Sequence, residues 1–206
     1  MDRLRVPGLS YEDVRGHAEE FLSRHHPSRT IPIPIEEIVE FSLGVNIIPI
    51  PDLLAVHDVD GFISADLSEL SVDQFILERR PARYRFTLAH EVGHIVLHGS
   101  LLKEVRLRSV DDWKRFVREM PETERASLEW QAYAFGGLVL APKGPLQELL
   151  RSAMAAAEAV GFDVVARFDI AREYIATQIG NDFGVSSAVI DRRLVADGNW
   201  RRAAGA

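Results

Sequence analysis

Apolar residues Val14, Ala18, Phe21 and Leu22 recur at three- and four-residue spacing, which predicts a helix over residues 11–25 with one buried stripe. Thr30-Ile-Pro-Ile-Pro-Ile is an extended approach to a second, short helix that ends at Gly44. The pattern then turns strand-like. Residues 45–50 are β-branched, residues 61–67 alternate apolar and polar, and Gln74-Phe-Ile-Leu offers a third short segment, so a small sheet is expected. Helical periodicity returns at Pro81, which suits a first turn, and persists to Leu97, with Gly99 as its terminator. Residues 102–119 are crowded with charge and read as a solvated connection or lid. A further helix over residues 121–139 stops before Ala141-Pro-Lys-Gly-Pro, the best candidate boundary in the chain. Residues 146–202 read as two or three helices broken at Gly184. The expected fold class is α+β: a mostly helical core with a small β-sheet over residues 1–142, and a C-terminal helical extension over residues 143–206 packed on it.

Composition narrows what such a chain can do. Its 206 residues are 47% hydrophobic and 27% charged, the balance of an ordinary globular protein. Twenty-four Lys and Arg against 31 Asp and Glu leave a net charge of -7, which disfavours broad contact with a phosphate backbone or an anionic membrane. There is no cysteine, so thiolate chemistry and Cys-based zinc sites are excluded, and any metal must be held by His, Asp or Glu. No stretch approaches the ~18 apolar residues of a membrane span, and the first residues lack the hydrophobic run of a secretory signal. A cytoplasmic protein with no membrane partner is expected.

His90-Glu91-Val92-Gly93-His94 fits the pattern H-E-x-x-H. Four residues advance a helix by about 40° net, so the two imidazoles lie one above the other and can share an ion. Glu91, about 100° from His90, points beside that ion, where a carboxylate can take a proton from an activated water without being a ligand. On the same wheel Arg83, Tyr84, Thr87, Glu91, His94 and His98 fall within about 120° of His90, while apolar residues fill the rest. This predicts a buried helix whose single polar stripe opens into a cleft. Gly93, on the apolar side, implies a closely packed neighbour.

A zinc site of this kind needs a third protein ligand. Asp111, Asp112, Glu119, Glu122, Glu124 and Glu129 all follow the motif. Glu129 has the most suggestive surroundings, because Ala126, Ala132 and Gly136 lie within about 60° of it on a helix. Small neighbours let a carboxylate come within the ~2.0–2.2 Å that zinc requires. The longer metzincin pattern fails, since Leu97 and Ser100 stand where Gly and His would be needed. The expected metal ligands are therefore His90, His94 and Glu129, with Glu91 as the catalytic base. Tyr133, His98, Tyr84 and Arg83 are all candidates to stabilise an oxyanion.

Arg85-Phe-Thr-Leu-Ala-His-Glu-Val-Gly-His94, followed by Leu97-His98 and then by Glu129-x-x-Ala132-x-x-Phe135 with Leu138, Leu140 and Pro142, resembles the ImmA/IrrE family of metallopeptidases. The likeness covers roughly residues 10–145 and extends more faintly beyond. It implies a zincin-like core with Zn2+ on His90, His94 and Glu129, and Glu91 as base. It also implies a protein substrate, a helix-turn-helix repressor whose cleavage derepresses genes. Gly136-Gly137 departs from the family pattern.

Two other readings compete. Two His and one carboxylate also describe the facial triad of non-haem iron oxygenases, but that chemistry has no evident use for Glu91. A diiron helical site would need a second Glu-x-x-His. The alternative of another class is a DNA- or protein-binding transcriptional regulator with a structural or vestigial metal site. Residues 175–194 read as helix, Gly turn and capped helix, which resembles a helix-turn-helix. Five Arg and five acidic groups over residues 168–206 give no positive field, so a packed helical hairpin is favoured and direct nucleic-acid binding is not expected.

Overall fold

Ser10 and Asp13 form a reciprocal capping box at the start of α1 (Tyr11–His25), whose stripe of Val14, Ala18, Phe21 and Leu22 is buried as the periodicity predicts. The computed structural model describes residues 5–105 and 110–200 and is mostly helical, with one three-stranded mixed sheet. The Pro-rich segment leads into α2 (Ile35–Glu37), which passes into a single π turn (Ile38–Ser42) and stops at Gly44 with φ +68°.

Strand β1 (Asn46–Ile50) is followed by the short helix α3 (Leu53–His57), then β2 (Gly61–Ile63) and β3 (Glu69–Asp73). The sheet order is β1-β3-β2, with β1 parallel and β2 antiparallel to β3, so β2 is an edge strand. The third strand falls one segment earlier than expected: Gln74-Phe-Ile-Leu belongs to α4 (Gln74–Arg79), and Leu70 and Val72 are the buried strand residues. Asp73 decides the boundary. One carboxylate oxygen caps α4 by accepting the Ile76 amide at 2.9 Å, and the other accepts the Leu54 amide at 2.9 Å.

The motif helix is α5 (Pro81–Val105), and it runs straight through Gly99 instead of ending there. A glycine in a helix costs only about 1 kcal/mol, and the fully buried Leu102 beyond it offsets that. The charged region is helical on both sides, at the end of α5 and in α6 (Val110–Glu119); Arg106 and Arg108 lie outside the described residues. Helix α7 (Glu122–Leu140) continues unbroken through Gly136-Gly137 and packs along α5. A Cβ on Gly93 would stand 3.0 Å from Ala132 Cα, and one on Gly136 would stand 3.2 Å from the His90 amide nitrogen. These two glycines bring the helices together, which bears out the close neighbour that Gly93 implies.

The last helices are α8 (Lys143–Ala159), α9 (Phe168–Phe183) and α10 (Ser187–Ala196), with Gly184 in the left-handed region as the break between the last two. Leu146, Ile175, Ile190 and Leu194 belong to the same apolar cluster as Val14, Leu88, Val92 and Phe135. Buried Arg193 joins α10 to Asp197 at 2.9 Å and to the Ala141 carbonyl at 3.3 Å, while Arg15 of α1 reaches the same Asp197 oxygen at 2.8 Å. No described helix is long and apolar enough to cross a membrane.

Candidate metal centre

Polar residues Thr87, His90, Glu91, His94 and His98 line one side of α5, and Glu91, His94 and His98 are buried. Their chemistry is concentrated at one point. The Nε2 atoms of His90 and His94 are 3.1 Å apart. From α7, Glu129 places Oε2 3.3 Å from His90 Nε2 and Oε1 4.0 Å from His94 Nε2. Donors held at about 2.0–2.1 Å from a tetrahedral ion are roughly 3.3 Å from one another. The three side chains therefore have the spacing of ligands that could share one metal. Glu91 borders the same point, since one ligand atom each from His90, Glu91 and His94 lie within 4.8 Å of one another.

The other acidic residues after the motif are engaged elsewhere or exposed. Asp112 pairs with Arg115 at 2.8 Å, Glu124 accepts the Val6 amide at 2.7 Å, and Glu119 and Glu122 face solvent. The Asp111 side chain lies outside the described ones.

The electrostatics of the site call for positive charge. Burial pushes the Glu91 carboxyl up to about 8. His90 draws it down, Glu129 and Asp60 add to the rise, and the Ile63 amide opposes them. Its Oε2 is buried without a hydrogen-bond partner, a costly condition unless something else compensates. Burial also holds His94 well below the usual imidazole range, with His90 and His98 reinforcing it. His98 is lowered by burial despite its hydrogen bond to Gln131. At His90 burial works against protonation, yet the Glu129 hydrogen bond and the charges of Glu91, Glu129 and Asp60 outweigh it and raise the group.

The site opens on a cleft of 580 Å³, lined by Asp60, Gly61, Arg83, Phe86, Tyr133 and Val189 as well as by His90, Glu91 and Glu129. His90 and Glu129 are reached from it, with side chains 18% and 43% exposed, whereas His94 at 1% is sealed behind them. Of the four oxyanion candidates, two line the cleft. Arg83 is locked to Asp60 by a two-point contact at 2.6 and 2.7 Å. Tyr133 has its ring between Phe86, at 4.7 Å, and the Arg192 guanidinium, at 4.7 Å. Tyr84 is buried in the core, and His98 lies behind His94.

Sequence reasoning missed Asp60, Gln131, and Ser186 and Val189 of the C-terminal region, the last two of which border the cleft. Gln131 is about 200° from Glu129 on α7, so a wheel centred on the acid hides it. A buried polar residue on an apolar helix face was the available signal.

Among curated proteins, no relative matches the chain. Residues 75–195 match the model of the IrrE N-terminal-like domain, Peptidase_M78, a span that takes in the motif helix, the helix bearing Glu129 and the helices after it. With more than half its length inside that match, the chain belongs to this metallopeptidase family.

Proposed function

We propose that the protein is a zinc-dependent metallo-endopeptidase that hydrolyses a peptide bond in a protein substrate, with His90, His94 and Glu129 holding Zn2+ and Glu91 as the catalytic base. One observation carries this: two imidazoles and a carboxylate from two helices converge at ligand spacing beside a second, buried carboxylate that has an unpartnered oxygen. Hydrolysis uses that second carboxylate; a three-ligand site alone does not need it. When bound, zinc supplies Lewis acidity and an activated water.

Glu91 receives a proton from the attacking water and delivers it to the leaving amine. Without a cation its raised pKa keeps it protonated at neutral pH and unable to act as a base. A positive charge held by its neighbours favours the ionised form, so the base is switched on where the metal is held. Tyr133, in the cleft wall one turn beyond Glu129, is the uncharged candidate among the cleft residues to donate to a developing oxyanion. Arg83 is committed to Asp60.

Support for a peptide substrate comes from β2, an edge strand whose Gly61 lines the cleft. An extended chain can add to such an edge through main-chain hydrogen bonds, leaving a carbonyl within reach of the site. A helix-turn-helix repressor as substrate, with derepression as the outcome in the cytoplasm, rests on the family resemblance.

Elemental analysis of protein purified without added metal, followed by incubation with candidate repressors and intact-mass spectrometry, tests the reading. About one zinc per chain and a discrete cut are expected, both lost in His90→Ala. Iron in place of zinc, or a cut that survives His90→Ala, would overturn it.

A further inference from the structure

Behind His94 runs a row of hydrogen bonds whose proton positions can be fixed from its far end. The Pro7 carbonyl can only accept, and it receives the Leu9 amide at 3.0 Å and Gln131 Nε2 at 2.6 Å. This orients the Gln131 amide: flipped, it would set two acceptors against each other. Gln131 Oε1 therefore faces His98 Nε2 at 2.9 Å, and because that oxygen only accepts, His98 carries its hydrogen on Nε2.

Each neutral imidazole has one N–H and one lone pair, and both rings are buried, where an unpaired charge is costly. His98 Nδ1 is then an acceptor. It stands 3.1 Å from His94 Nδ1, so His94 must donate from Nδ1. The lone pair of His94 is left on Nε2, the atom that faces His90 Nε2 and Glu129. His94, His98 and Gln131 are each at most 1% exposed, so water cannot readily substitute in the row.

We infer that Gln131 and His98 are positioning residues that hold His94 in the Nδ1–H tautomer, its Nε2 lone pair presented to the metal, with the Pro7 carbonyl of the N-terminal segment as the anchor. This deepens the proposed zinc site and rests on it for its purpose, but the tautomer exists whether or not the metal binds. The opposite tautomer would aim a hydrogen into the site and leave two lone pairs opposed between His94 and His98. Outer partners of this kind are worth roughly ten- to a hundredfold in metal affinity.

Long-range proton–nitrogen correlation spectra of the metal-free protein, labelled with nitrogen-15 at histidine, read the tautomers directly. His94 should appear protonated at Nδ1 and His98 at Nε2; His94 protonated at Nε2 would overturn the inference. Gln131→Leu removes the acceptor and should erase the single-tautomer signature. It should also weaken zinc binding about ten- to a hundredfold in chelator competition. Gln131→Glu, protonated in this buried position, can donate to Pro7 and accept from His98, and should restore both. Unchanged tautomers and affinity in a folded Gln131→Leu protein would also overturn it. Should Gln131→Leu not fold, the wild-type spectrum and the Gln131→Glu protein still decide. A wild-type protein with the expected tautomers but no zinc affinity would leave the relay standing and remove the metallopeptidase reading.

Discussion

Two buried polar clusters in this protein differ in how their charges are balanced. Around Asp197, one carboxylate meets two guanidinium groups, Arg15 and Arg193, and the Tyr11 hydroxyl, so its negative charge is more than matched by the chain itself. Around Glu91, the carboxylates of Glu91, Glu129 and Asp60 influence one another and face imidazoles, one of which burial holds neutral; the nearby Arg83 is spent on Asp60. The first cluster meets its carboxylate charge from within the chain, although Asp197 Oδ2 and Arg15 Nε have no hydrogen-bond partner, and it ties helices α1 and α10 together. The second is short of positive charge, and its geometry leaves room for a cation to supply it. Burial alone does not distinguish a structural cluster from a functional one; the charge left uncompensated does.

The comparison can be broken at either end. Glu91→Gln should keep zinc near the wild-type content while lowering the cleavage rate about 10²- to 10⁴-fold, measured on a cleaved substrate; full activity would remove Glu91 from the chemistry. Arg193→Ala should remove the buried bonds to Asp197, Tyr11 and the Ala141 carbonyl together and lower stability by about 3–5 kcal/mol in denaturant unfolding. A cost near zero would make that cluster ornamental.

The pH response tests the second cluster further. In the metal-free fold Glu91 keeps its proton up to a pH of about 8, against an ordinary value of 4.5. Between those limits the native state binds the extra proton, so stability falls as pH rises and levels off above the higher value. Glu91→Gln should flatten this slope and make the metal-free protein more stable at pH 8, by on the order of a few kcal/mol. Parallel stability curves for the two proteins would count against a desolvated carboxyl. The smallest effect expected is that of Gly93→Ala: its Cβ would press on Ala132 at 3.0 Å and Phe135 at 3.2 Å, an overpacking cost of about 1–3 kcal/mol in thermal unfolding.

The site was legible in the sequence to the extent that one helix carried it. His90, Glu91 and His94 obey a helical spacing, and the small residues around Glu129 disclosed a helix meant to approach another closely. Tertiary contacts were less visible. Gly99 looked like a terminator because local propensity cannot register Leu102 buried beyond it. The third strand was displaced because the capping role of Asp73 depends on its two-sided bonding to Ile76 and Leu54. Gln131 and Asp60 escaped for the same reason: their partners are 33 and 23 residues away, and only the fold brings them together.

The proposed docking of a peptide on the edge of β2 sets a condition on a substrate. Such an edge pairs only with a backbone whose donors and acceptors are unclaimed. A target segment coiled into a helix has already spent them on itself, and must unwind before it can dock. Susceptibility then depends on how easily a stretch of the target melts as well as on its side chains, so a mutation that stiffens a target far from the scissile bond can protect it.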